Sequence, residues 1–167
     1  SMTYLNFYYK GETRNWEYLL KDYHDVLFNM LKRHGDKVQL IYKFSGKQSR
    51  DLYTGFDSFC QKVKDECPED CFLPLDVRYS TFDILNTSDM VIGFLTTGMI
   101  EAMFKNFPIV FGAWGEFFED IKDTLIDLHK SKALTWAKTK EEMEREISRI
   151  IENDEYYKGK TTLFITN

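Results

Sequence analysis

Short apolar runs alternate with longer amphipathic segments about six times along the 167 residues. Such alternation is the mark of strands joined by helices, and it predicts an α/β fold, a doubly wound parallel sheet of about six strands with helices on both faces. Strand one is read at Tyr4-Leu5-Asn6-Phe7-Tyr8-Tyr9, before Lys10-Gly11-Glu12. From Trp16 to about His34, Leu19, Leu20, Tyr23, Val26, Leu27, Met30 and Leu31 recur at helical spacing, and Gly35 stops the helix. Val38 to Tyr42 reads as strand two, with a loop over Lys43-Phe44-Ser45-Gly46-Lys47 and a helix over Leu52 to Val63. Between and around Pro68 and Pro74, Cys71-Phe72-Leu73 competes with Leu75-Asp76-Val77 for strand three.

A short helix follows from Ser80 to Leu85, with a hydroxyl cap and Asp83 in its first turn. Met90-Val91-Ile92-Gly93-Phe94-Leu95 is strand four, apolar throughout as a strand covered on both faces must be. The remaining expectations are a helix over Thr97 to Asn106, strand five over Pro108 to Gly112 and a helix over Phe117 to His129. A last strand at Ala133 to Trp136 and a charged helix from Glu141 to Ile151 complete the order.

A chain of this size, 43% apolar, supports one domain, read over residues 3–167. Ser1-Met2 reads as a cloning remnant before a domain excised from a longer protein. With 22 basic against 27 acidic residues the net charge is -5, which argues against a nucleic-acid partner. No stretch reaches the roughly 20 apolar residues of a membrane span, and no signal pattern opens the chain. Cys60, Cys67 and Cys71 are odd in number and have no histidine nearby, so a turn with free thiols in a reducing compartment is the simpler reading than a disulfide or zinc site.

In a doubly wound sheet the ligand crevice lies beyond the carboxyl ends of the strands, where the winding reverses. For the strand count above, that point falls between strands one and four, so the turns Lys10-Gly11-Glu12 and Thr96-Thr97-Gly98 converge there. Thr96-Thr97-Gly98 opens a helix, whose unpaired N–H groups and dipole favour a phosphate. Thr97 and Glu101 share one helix face, opposite an apolar arc of Met99, Ile100, Met103 and Phe104. A carboxylate at Glu101 suits ribose hydroxyls, and Lys43 and Lys47 extend from the loop after strand two. Local pattern alone fits an ordinary helix cap better, with Glu101 favoured by the dipole.

His24, His34 and His129 all fall in helical segments and are read as structural, as is Cys60 in an amphipathic helix. Trp114-Gly115-Glu116-Phe117-Phe118 lies on the ligand side, where packing over the sheet is favoured over stacking on a base. No residue is assigned a catalytic role.

The stretch from Asp83-Ile84-Leu85-Asn86-Thr87-Ser88-Asp89 through Met90-Val91-Ile92-Gly93-Phe94-Leu95-Thr96-Thr97-Gly98 to Met99-Ile100-Glu101-Ala102 and Pro108-Ile109-Val110 resembles the carboxyl-terminal donor domain of GT-B glycosyltransferases. The likeness is to the bacterial surface-polysaccharide and glycerophosphate-transferring kind. It implies a Rossmann-like domain in which Thr96, Thr97 and Gly98 hold the diphosphate of a nucleotide-sugar or nucleotide-polyol donor and Glu101 holds its ribose. Lys43 stands where such domains often carry a basic residue, although their Lys-Pro-His-Pro is Lys43-Phe44-Ser45-Gly46 here. The resemblance further implies no metal, no cofactor beyond the donor itself, and a cytoplasmic location, held at a membrane surface through the parent protein. The acceptor and any catalytic base belong to a second Rossmann-like domain, in the same or another chain, so this domain is not expected to be active alone. The competing expectation is a non-catalytic Rossmann-like module that recognises a phospho-ligand or a protein.

Overall fold

The computed structural model describes residues 6–9, 12–15, 17–43, 55–75, 78–93, 97–104, 107–122, 134–152 and 161–166. Strands β1 (Asn6–Tyr9) and β2 (Glu12–Asn15) pair with each other, antiparallel, in a two-stranded sheet of their own. The other strands are β3 (Val38–Lys43), β4 (Phe72–Leu75), β5 (Met90–Gly93), β6 (Ile109–Gly112), β7 (Thr135–Ala137) and β8 (Thr161–Thr166). They form one sheet in the spatial order β4-β3-β8-β5-β6-β7, with every neighbouring pair parallel. Helices α1 (Glu17–His34), α2 (Gly55–Glu66), α3 (Thr81–Asn86), α4 (Thr97–Phe104), α5 (Gly115–Ile121) and α6 (Lys140–Ile151) complete an α/β architecture. Among the described residues no helix is long and apolar enough to cross a membrane.

Strands β5 and β6 are buried at all of their positions, as their unbroken apolar sequence requires. The first apolar run departs from expectation. It joins Glu12–Asn15 through the register Asn6↔Asn15 to Tyr9↔Glu12, and the place beside β3 goes to β8. The β8 sequence, Thr161-Thr162-Leu163-Phe164-Ile165-Thr166, is rich in the β-branched and aromatic residues that suit a pleated surface. It lies outside the strands expected from the sequence.

Strand three is Phe72–Leu75, mostly the earlier of the two competing windows. It lies at the edge of the sheet, which is where a strand containing Pro74 can be accommodated. Leu40 N–H donates to Cys71 O at 2.7 Å, and Tyr42 stands opposite Pro74. In a parallel ladder the facing groups alternate, so Pro74 N points away from β3. The turn before β4 has Asp70 at φ 61°, and Cys60, Cys67 and Cys71 are not joined in disulfides. Burial, and to a lesser degree the neighbouring Cys71, pushes the Cys67 thiol up to about 11.

Helix α1 carries Glu17 in its first turn and Lys32, Arg33 and His34 in its last, complementing the helix dipole at both ends. It is buried well beyond a single stripe, because it packs on β3 and against both α2 and α6. Helix α3 starts after Ser80, but the Ser80 hydroxyl makes no capping bond, contrary to the sequence expectation. The described part of the helix expected over Phe117 to His129 runs instead from Gly115 to Ile121, and 123–133 lie outside the described residues.

At α6 the cap is well formed. The Thr139 hydroxyl accepts from Glu142 N at 3.1 Å, and the Glu142 carboxylate accepts from Lys138 N at 2.8 Å. These bonds satisfy donors that a helix start otherwise leaves unpaired. Thr139→Ala should therefore lower stability by about 1 kcal/mol, read as a shift in the urea midpoint at constant slope.

Candidate functional site

Parallel register sets Leu75, Lys43, Thr166, Gly93, Phe111 and Trp136 in one row across the sheet. The first four are the last residues of their strands, so the row marks the carboxyl edge. From β3 the chain steps outward to β4, and from β5 it steps the other way through β6 to β7. The winding thus reverses at β8, between β3 and β5. Lys43 and Gly93 flank that point about 10 Å apart, two strand spacings. Lys43 is 9% exposed, so its stem is enclosed by the fold.

Helix α4 begins four residues after Gly93, at Thr97. Gly98, Met99 and Ala102 are buried and Glu101 is exposed. The expected apolar arc is only partly realised, since Phe104 is 85% exposed. At about 100° per residue, Phe104 lies roughly opposite the Met99–Ala102 face and on the side of Glu101, so helical phase overrides its hydrophobicity. Thr96, Lys10, Gly11 and Lys47 lie outside the described residues. The structure therefore brings Lys43, the start of α4 and Glu101 to the same end of the sheet.

The amino-terminal part of α1 is tied onto this edge. The Tyr23 hydroxyl lies 2.8 Å from Gly112 O and 3.1 Å from Gly93 O, where β6 and β5 end. Burial drives its pKa far up, against the opposing influence of the Gly112 bond, so the phenol stays a donor. Tyr18 OH donates to Trp114 O at 3.0 Å and accepts from Phe117 N at 2.9 Å. Trp114 stacks on Tyr23 with ring centroids 5.6 Å apart, and its indole N–H donates to Asp22 Oδ2 at 3.1 Å.

Two glycines permit that approach. A Cβ on Gly112 would lie 2.3 Å from the Tyr23 hydroxyl, and Gly115, at φ +61°, sits under Tyr18. The remaining aromatics of this segment are also packed: Phe117 is fully buried, and Phe118 lies 4.6 Å from Trp136, centroid to centroid.

A cavity of about 690 Å³ opens between α1 and α2, lined among others by Glu17, Lys21, His24, Asp25, Phe59 and Lys62. His24 is buried, stacks on Phe59 at 4.4 Å and sits 3.1 Å from the Tyr42 hydroxyl through Nε2. Burial lowers its pKa to about 4, with Asp25 opposing. Sequence reading missed this cavity because it depends on how two successive helices, α1 and α2, pack side by side, which the period of neither one carries. Among the described residues no cluster of three or more His, Cys, Asp or Glu is arranged to hold a metal ion.

No protein-family model, no curated protein and no solved structure matches the chain.

Proposed function

We propose that this chain is the nucleotide-sugar or nucleotide-polyol donor-binding half of a GT-B glycosyltransferase acting in surface glycan or polymer biosynthesis. The observation that carries the reading is the reversal of winding at the carboxyl edge, with Lys43 on one side and the Thr97-Gly98 helix start on the other. That is where open parallel sheets hold phosphorylated ligands. The 83–110 resemblance names the ligand class. On this reading Thr96, Thr97 and Gly98 take the diphosphate with Lys43, and Glu101, exposed on α4, takes the ribose.

A doubly wound, Rossmann-like arrangement is the finer fold reading. Helix α1 packs with α2 and α6, while α3 packs with α4. Right-handed crossovers assign these two groups to opposite faces of the sheet, because their connections step in opposite directions. The acceptor and catalytic base come from a second Rossmann-like domain, and the assembled enzyme works in the cytoplasm at the membrane surface.

Calorimetric titration with UDP-, CDP- and GDP-linked donors tests the proposal. One of the three is expected to bind, and a folded protein that binds none overturns it. Glu101→Ala should weaken that donor by about 1–3 kcal/mol while leaving the thermal midpoint unchanged. Unaltered affinity removes Glu101 from the site.

A further inference from the structure

The central slot of the sheet is filled from an unexpected end of the chain. Read with β8 as the first strand, the order β4-β3-β8-β5-β6-β7 is the 3-2-1-4-5-6 order of doubly wound sheets. Yet β8 is the last described strand, and the first, β1, stands apart with β2 in a separate sheet. We propose that β1 and β8 compete for the slot between β3 and β5, and that β1, on entering it, runs parallel to both and ends at the carboxyl edge beside Lys43 and Gly93.

Helix α1 is already placed for the exchange. Its amino-terminal part is bonded at the carboxyl edge through Tyr23 to Gly93 O, and its other end leads through residues 35–37 into β3. A strand running in the slot, parallel to its neighbours, ends at that edge and needs only a connection into α1. Residues 10–16 provide it, since seven residues reach up to about 24 Å, and Glu17 to Tyr23 along α1 is only about 9 Å.

The handedness agrees as well. A connection from the slot through α1 to β3 steps in the same direction as β3 through α2 to β4 and β7 through α6 to β8. Right-handed crossovers put all three helices on one face, and α1 packs against both α2 and α6.

The two segments are also matched in kind. Tyr4-Leu5-Asn6-Phe7-Tyr8-Tyr9 and Thr161-Thr162-Leu163-Phe164-Ile165-Thr166 are runs of similar length, dominated by aromatic, aliphatic and β-branched residues. Either supplies the backbone donors and acceptors that β3 and β5 require. The exchange gives up the β1–β2 pairing and the two β8 ladders, to β3 and to β5, and restores two equivalent ladders, leaving the helices in place. It does not depend on the donor-binding reading.

Hydrogen exchange on the full chain decides the matter. In the unaltered protein, amides of 161–166 should exchange at least about tenfold faster than those of 38–43 and 90–93, because β8 leaves without the sheet unfolding. In the full-length Leu163→Pro variant, where β8 loses a ladder donor, cooperative unfolding should persist and amides 6–9 should gain protection. Tyr8→Pro should have the reverse effect, slowing β8 to the rate of its neighbours. Equal rates for β8, β3 and β5 in the unaltered chain overturn the proposal, as does a Leu163→Pro chain that unfolds or leaves 6–9 unprotected.

Discussion

Gly112→Ala should destabilise the protein by about 3 kcal/mol or more, the upper end of what overpacking a filled core produces. The added methyl would lie 2.3 Å from the Tyr23 hydroxyl and 2.8 Å from Cζ, and neither atom is free to retreat. The hydroxyl is held by two carbonyls, and the ring is stacked on Trp114. Moving it would strand buried polar groups in addition to the steric term. Tyr23→Phe alone should lose about 1–3 kcal/mol, since Gly93 O and Gly112 O then lose a shared donor. The double variant should be more stable than the sum of the two changes implies, because removing the hydroxyl relieves the closest of the methyl's contacts and leaves the 2.8 Å approach to Cζ. Urea unfolding of the four proteins measures this, and strict additivity would show that the methyl is accommodated elsewhere.

Acid should destabilise the fold through His24. Its pKa is near 4 in the folded chain against about 6.5 when exposed, so the unfolded state binds the proton more readily. The contribution is fully present above about pH 6.5 and is lost as pH falls toward 4. Over that window the loss approaches about 3 kcal/mol, at roughly 1.4 kcal/mol per unit. His34, lowered chiefly by burial, adds a loss of the same sign. His24→Phe should flatten the stability profile between pH 6.5 and 4, and an unchanged slope would assign the acid sensitivity to other groups.

Much of the architecture was legible because periodicity is a local property. Val38–Tyr42, Met90–Gly93 and Ile109–Gly112 are apolar enough to be strands in any context, and the stripe from Leu19 to Leu31 could only be a helix. What periodicity does not carry is neighbour choice. The run at Tyr4–Tyr9 has strand character, but nothing within it selects the centre of the large sheet over a pairing with Glu12–Asn15. The same blindness hid β8, whose two flanking strands lie far back in the chain.

The candidate site shows a similar division. The helix start at Thr97 and the lysine closing β3 were visible as residue types. Their placement at the same edge of the sheet depended on a strand order that was only partly anticipated. The tie of Tyr23 to Gly112 spans 89 residues and leaves no local trace. Nor did the hydrophobicity of Phe104 reveal its exposure, which helical phase sets.

Pro74 has a consequence beyond its tolerance at the sheet margin. Its nitrogen faces outward, where an added strand would seek a donor, and Leu73 beside it is 41% exposed. An apolar margin of this kind invites self-association through strand addition. With no hydrogen to offer at Pro74, the ladder cannot propagate past that position, and the edge is protected from aggregation by a single ring.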